Sequence, residues 1–193
     1  MANLYTSGGK RIFDIALSLL LIASTAWLAI IIWLLYFFTG NFPVLFRQLR
    51  TGRGEVPFQL VKFRTLVNSD QPPAQRQFWL GRLLRATNFD EWPQLWQVLK
   101  GEMSLVGPRP LPVAYLDLMT TRQRQRYTVR PGITGLVQVA DRHAMPWAGK
   151  FELDVTYVDQ CSLELDMRIL WKTVLLVFSF RKDVSLNEEP LGK

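Results

Sequence analysis

Asp90 and Glu91 are adjacent carboxylates inside the stretch that carries most of the chain's chemical content, Arg85 to Pro110 (R-A-T-N-F-D-E-W-P-Q-L-W-Q-V-L-K-G-E-M-S-L-V-G-P-R-P). Arg82 and Arg85 precede them, and Arg109 follows, locked between Pro108 and Pro110. Restricted backbone freedom around Arg109 lowers the ordering entropy of a phosphate contact there. Carboxylates, guanidinium groups and the free N–H groups of a helix start suit phosphoryl-type chemistry, which needs positioning, charge neutralisation and an in-line nucleophile. A carboxylate can itself be that nucleophile, forming an acyl phosphate. Attack of one anion on another requires screening, which Mg²⁺ held by one or two carboxylates and by substrate phosphates supplies. The plainer account of the same pair is structural. Acids at a helix start are stabilised by its dipole by about 0.3–1 kcal/mol, Asn88 is a good N-cap, and Glu91 three residues later completes a capping box. Asp90 is then the acid left without a capping duty.

Elements must hold these groups in place. Trp92, Leu95, Trp96 and Leu99 fall at i, i+3, i+4 and i+7 and predict a helix with one apolar stripe, closed by Lys100 and Gly101. Pro93 lies in the first turn, where it is tolerated. Val56 to Leu66 alternates in part and predicts a strand with Lys62 and Arg64 on one face, for which ordinary solvated charge is the bland account. Val44–Phe46 is β-prone, Gln48–Glu55 reads as a basic loop, and Phe78–Ala86 as a short helix. Downstream, Leu111–Gln125 predicts a helix ending in Arg122, Arg124 and Arg126. Val129–Gly135 reads as a turn-rich loop, Leu136–Val139 as a short strand and Phe151–Val158 as a helix. Met167–Phe180, at about 14 residues, is short for a membrane span and reads as an interfacial helix.

Ile15 to Phe38 carries no charge. As a helix it reaches about 36 Å, against about 30 Å for the hydrocarbon core of a bilayer. The run is long for a signal peptide and no A-x-A pattern follows it. Lys10 and Arg11 flank one side, and Arg47, Arg50 and Arg53 the other. Positive charge prefers the cytoplasmic face, so a helix that enters and returns to that face satisfies the rule better than one that crosses. Ser24–Thr25 stands near the middle, where hydroxyls bonding back can bend a helix. With no proline there, re-entrant and spanning helices both remain open.

At 193 residues the chain is one domain, or one domain plus an anchor, and its net charge of +7 points to anionic partners: nucleic acid, lipid headgroups or a phosphorylated small molecule. One cysteine, Cys161, excludes an intramolecular disulfide and a cysteine-based zinc site. With His143 the single histidine and no G-x-S-x-G elbow, a Ser-His-Asp triad has no support. A metal would be held mainly by carboxylates, which favours Mg²⁺ or Mn²⁺. Nucleic acid is set aside because no module clusters basic with aromatic residues, and Trp92 and Trp96 fall on the helix stripe.

The chain resembles the bacterial sugar transferases, the monotopic phosphoglycosyl transferase family. The matching stretches are Lys10-Arg11-Ile12-Phe13-Asp14, Phe46-Arg47-Gln48 with Arg50 and Gly52, Lys62-Phe63-Arg64-Thr65, and Asp90-Glu91 with Pro93-Gln94-Leu95. They continue with Lys100 to Pro110, Arg130-Pro131-Gly132-Ile133-Thr134-Gly135, Leu153-Asp154-Val155 with Tyr157-Val158, and Leu165-Asp166. The resemblance covers about residues 10 to 180 and implies an α/β, mainly α, membrane-associated domain with a re-entrant N-terminal helix, interfacial helices and a short sheet. On that basis residues 1–43 are the lead and membrane helix, 44–182 the catalytic domain at the cytoplasmic face of the bacterial inner membrane, and 183–193 a flexible tail. The implied reaction moves a sugar phosphate from a UDP-sugar to polyprenyl phosphate and releases UMP. Asp90 is the implied nucleophile and lies near Mg²⁺. Glu91 assists the acceptor or the metal, Arg85 and Arg109 contact phosphates, and Lys62 and Arg64 are further phosphate candidates. Two positions depart from the family pattern: Thr25 where a proline usually follows the serine, and Trp92 where a leucine often follows the acids. A non-catalytic subunit of a glycan-synthesis complex is the alternative, and would need Asp90 and Glu91 to be dispensable. The sugar and the state of a homo-oligomer stay unspecified, with 68–77 and 140–150 as candidate specificity loops.

Overall fold

The computed structural model describes residues 5–40, 42–140, 145–179 and 191. Helices dominate: α1 (Lys10–Thr39), α2 (Trp79–Ala86), α3 (Gln94–Lys100), α4 (Thr121–Arg124), α5 (Leu136–Val139), α6 (Trp147–Gln160) and α7 (Leu163–Phe178). Two small ladders accompany them. Strands β1 (Leu45–Thr51) and β2 (Pro57–Phe63) form an antiparallel hairpin that pairs Leu45 with Phe63 and Thr51 with Pro57. Strands β3 (Ser104–Val106) and β4 (Gly132–Thr134) pair in parallel. This is the mainly helical α/β architecture expected.

The long apolar run forms α1, which Gly40 ends in a left-handed conformation at φ 66°. No residue between Lys10 and Thr39 leaves helical geometry. The Ser24 and Thr25 hydroxyls donate back to the carbonyls of Leu20 and Leu21, so these polar groups are satisfied without breaking the backbone.

Three positions fasten α1 to the rest of the molecule. At its start, Arg11 donates to the Val98 and Leu99 carbonyls at 2.6 and 2.8 Å, capping the C-terminal turn of α3 with a cation. Asp14 accepts from the Ser104 hydroxyl at 2.8 Å and the Leu105 amide at 3.1 Å, which ties α1 to β3. Midway, the Trp92 indole donates to the Thr25 hydroxyl at 2.8 Å. Near its end, fully buried Tyr36 donates to the Arg64 carbonyl just beyond β2. The helix therefore lies along the domain. Ile12, Leu20, Trp27, Ile30, Trp33, Phe37 and Phe38 remain exposed, as do Trp171, Leu175 and Phe178 of α7.

Two of the buried clusters draw on α1. One gathers Val98, Met103, Val106, Tyr157 and Ile169; the other gathers Ala29, Ile32, Tyr36, Phe63, Leu80 and Leu84. A third, of Leu111, Met119, Tyr127 and Phe151, lies under α6. Asp166 is fully buried and accepts from Tyr5 at 2.5 Å, Lys10 at 2.5 Å and Tyr157 at 2.8 Å, joining the start of α1 to α6 and α7.

Several local expectations are corrected. The basic loop at Gln48–Glu55 is largely strand, because β1 runs to Thr51 against its hairpin partner. Leu111–Gln125 is not one helix. The Thr51 amide bonds the Leu111 carbonyl at 2.9 Å and holds the chain extended there. A 3₁₀ segment, Val113–Leu118, follows, and helix restarts only at α4 under a Thr120–Gln123 capping box. Gly132–Thr134, expected in a loop, forms β4, whereas Leu136–Val139, expected as a strand, is helical. Trp96 is 52% exposed; the buried face of α3 runs instead through Gln94, Leu95, Gln97 and Val98. Gln97 earns its burial by accepting from the Val61 amide and donating to the Gln59 carbonyl, bonding α3 to β2. His143 and residues 141–144 of one proposed specificity loop lie outside the described residues, as does the tail from 183 onward except Leu191.

Candidate active site

Asn88 adopts a left-handed backbone at φ 54° and makes no side-chain cap. Phe89–Glu91 form a single 3₁₀ turn, and α3 begins only at Gln94, with Pro93 before it. The capping box expected from Asn88 and Glu91 is therefore absent. Glu91 instead meets Arg109 Nη2 at 3.3 Å, so its structural duty at the helix start disappears.

Asp90 is 5% exposed. Burial, then the neighbouring Glu91 charge, pushes its carboxyl up to about 7; Lys62, Arg85 and Arg109 pull the other way. Lys62 is in turn lowered, first by burial, despite the opposing pull of Asp90 and Glu91. Each group loses more hydration than its partner returns.

The cations arrive from three separate segments. Lys62 stands on β2, opposite Phe46 of β1. Arg85 ends α2 and donates from Nε to the Thr65 hydroxyl at 2.7 Å. This contact depends on Gly81, since a Cβ there would lie 2.3 Å from the Thr65 carbonyl oxygen. Arg109 follows β3 in a turn whose backbone packs directly on the β4 segment. Cβ atoms at Gly107, Gly132 or Gly135 would come within 2.1–2.5 Å of backbone atoms across that junction. The Arg109 carbonyl accepts from Arg126 Nη2 at 2.7 Å, and Arg126 also pairs with Asp154 at 2.7 Å, both side chains almost wholly buried.

Lys62, Arg64, Arg85 and Arg109, all named from sequence, line one cavity of about 570 Å³, within the usual range for small-molecule sites. Asp90 and Glu91 adjoin that cavity through these cations rather than lining it. Arg64 is a weaker ligand than the others, because it donates to the Phe42 and Leu66 carbonyls and to the Asn68 side chain.

Arg50, Arg76, Arg126 and Lys150 also line the cavity, and none of them was named as a site residue from sequence. Among the described residues Asp154 is the one acid in the lining, and it is held by Arg126. Arg50 is lowered to about 10 by burial and by the nearby Arg109, and its Nε is buried without a partner. Nothing in the sequence separated Arg126 from Arg122 and Arg124, which lie on the surface against Glu152 and Glu55. The signal the sequence did offer was Asp154, which falls in the family-like stretch Leu153-Asp154-Val155.

Such a cavity recognises an anion with more than one negative charge. Among the described residues no three or more His, Cys, Asp or Glu side chains cluster as an all-protein metal cage. Asp90 with Glu91 fits the other mode, in which Mg²⁺ takes one or two carboxylates and substrate phosphates.

The family model for bacterial sugar transferases matches residues 5–180. Over 171 residues the chain is 43% identical to the uncharacterized sugar transferase EpsL of Bacillus subtilis, a match covering 86% of this chain and 85% of that one. Over 181 residues it is 38% identical to the UDP-glucose:undecaprenyl-phosphate glucose-1-phosphate transferase of Caulobacter vibrioides, covering 86% of this chain and 68% of that protein. Over 191 residues it is 33% identical to the undecaprenyl-phosphate galactose phosphotransferase of Salmonella typhimurium, covering 87% of this chain but 40% of that longer protein. With a cation-lined cavity beside the buried Asp90, and with these matches, the chain belongs to the bacterial sugar transferase family of enzymes.

Proposed function

We propose that the enzyme transfers a sugar phosphate from a UDP-sugar to undecaprenyl phosphate, releasing UMP, with Asp90 as the covalent nucleophile. The observation that carries this reading is the burial of Asp90 beside Glu91, with Lys62, Arg85 and Arg109 coupled to it and facing the cavity. A carboxylate oxygen of Asp90 attacks the phosphorus that bears the sugar. The bond from that phosphorus to the bridging oxygen breaks, and UMP leaves with the electron pair. An oxygen of undecaprenyl phosphate then attacks the same phosphorus, and the acyl phosphate bond breaks to regenerate the carboxylate. Lys62, Arg85 and Arg109 neutralise phosphate charge in both steps. Glu91, steadied by Arg109, keeps the Asp90 carboxyl basic through its charge and stands as the second carboxylate for a metal. Bound there, Mg²⁺ would screen the charge of nucleophile and phosphate.

The acceptor keeps its tail in lipid and its phosphate at the surface, so the site belongs at headgroup level. Support comes from α1. Arg11 at one end and Tyr36 at the other bond the same domain, and the helical rise from residue 11 to residue 36 is about 37 Å, more than the hydrocarbon core. A crossing helix would drag α3 and β2 through the bilayer, whereas a helix lying in one leaflet leaves them at the cytoplasmic face.

The test is UMP release across a panel of UDP-sugars with undecaprenyl phosphate and Mg²⁺. Asp90→Asn is expected to lower kcat by at least about 10³-fold. The wild type, given donor alone, should gain the mass of one sugar phosphate. Near-normal UMP release by Asp90→Asn would overturn the mechanism.

A further inference from the structure

Trp92 connects the acid pair to the midpoint of α1. It follows Glu91 directly and packs against both large clusters, one holding Leu17 and Ile22 from the first half of α1, the other holding Ala29, Ile32 and Tyr36 from the second. Its indole N–H, which can only donate, meets the Thr25 hydroxyl at 2.8 Å. That hydroxyl spends its own proton on the Leu21 carbonyl, so as the acceptor it is fixed in direction. Phe89 stacks on the same indole, with ring centroids 6.3 Å apart and planes 12° from parallel. Asp90 and Glu91 thus sit between two aromatic residues, and the second is bonded to a polar point within the uncharged stretch of α1 from Ile15 to Phe38. Ring packing alone would allow the indole to slide along α1; the directional bond selects one register.

We propose that Thr25 and Trp92 are positioning residues for catalysis: their bond fixes where the Asp90–Glu91 pair sits along α1, and so where it meets an acceptor phosphate at the lipid surface. This deepens the transferase reading above and rests on it.

The test uses the full chain reconstituted in phosphatidylglycerol-containing nanodiscs. Thr25→Val keeps the shape and removes the hydroxyl, Trp92→Phe keeps a ring and removes the N–H, and Thr25→Ser keeps the hydroxyl. Both bond-deleting variants are expected to lower kcat for UMP release about tenfold with KM for the UDP-sugar within about twofold of wild type. Thr25→Ser should stay close to wild type. The double variant Thr25→Val/Trp92→Phe should be no slower than the slower single variant, the sign of one shared interaction. Hydrogen exchange supplies a readout independent of turnover. Thr25→Val should speed exchange of the amides from Phe89 to Leu95, which are remote in sequence. The proposal is overturned by additive losses in the double variant, or by Thr25→Val leaving both kcat and that exchange unchanged. If the wild type turned over no UDP-sugar, the transferase reading would fall, and the exchange measurement alone would still decide whether the bond holds the acid pair.

Discussion

Asp90 occupies an environment that works against its own charge, and this has a kinetic consequence. In the proposed mechanism the free enzyme holds it as a carboxylate to attack phosphorus, and its pKa is pushed up to about 7 by burial and by Glu91. The ionised fraction therefore falls as pH drops through 7. Initial rates from pH 5 to 9 should show kcat/KM rising about tenfold per pH unit on the acid side and levelling above about 7; a flat profile across pH 6–8 would exclude Asp90 as the group that must ionise. The same residue shows how far sequence carried the site. Asp90 stood out because capping gave it nothing to do, and the cations Lys62, Arg85 and Arg109 were named with it. Of the two roles read for Glu91, capping fails, since a capping box presumes an extended backbone at Asn88, and a left-handed one is invisible in the residue type. Arg126 was missed because its depth is set by Asp154 and by the Arg109 carbonyl, neither of them near in sequence. One link was legible only in space: Thr25 and Trp92, the two departures from the family pattern, are each other's hydrogen-bond partners.

At the level of elements, the most constrained feature is the junction between β3 and β4. A Cβ on Gly132 would fall 2.1 Å from the Gly107 amide nitrogen and 2.4 Å from the Thr134 carbonyl oxygen. Neither contact can be relieved by turning a side chain. Gly132→Ala should cost about 3 kcal/mol, the upper end for overpacking, seen as a lower denaturation midpoint. It should also depress UMP release, because Arg109 lies two residues beyond Gly107. Unchanged stability would mean that the two backbones are not in contact. Elements with a strong period of their own were readable: the β2 strand, the α2 helix and the Lys100–Gly101 stop. Those defined by a distant neighbour were not. Strand β4 has no alternation because it is three residues long and exists by pairing with β3. The expected helix at 111–125 fails because Thr51, far upstream, claims the Leu111 carbonyl.

Taken whole, the molecule is a domain laid along one face of its longest helix, with the other face left apolar. If that face lies in one leaflet, both ends of α1 open on the same side of the membrane. In a chain whose Cys161 is replaced by Ser, single cysteines at Gly8, where a Cβ meets open space, and at Phe42, which is exposed, should react with a membrane-impermeant maleimide from the cytoplasmic side alone. Labelling from opposite sides would establish a span instead. The buried knot around Asp166 also fixes an order of manufacture. Lys10 and Asp166 are 156 residues apart, which at ribosomal speeds of about 5–20 residues per second is an interval of about 8–30 s. Through that interval the carboxylate within reach of Lys10 is Asp14, one helical turn away, so α1 is made well before the partner that anchors its start. Synthesis therefore delivers the apolar helix first, the acid pair next and the latch last, and a chain halted before α7 would lack the carboxylate that fastens the start of α1.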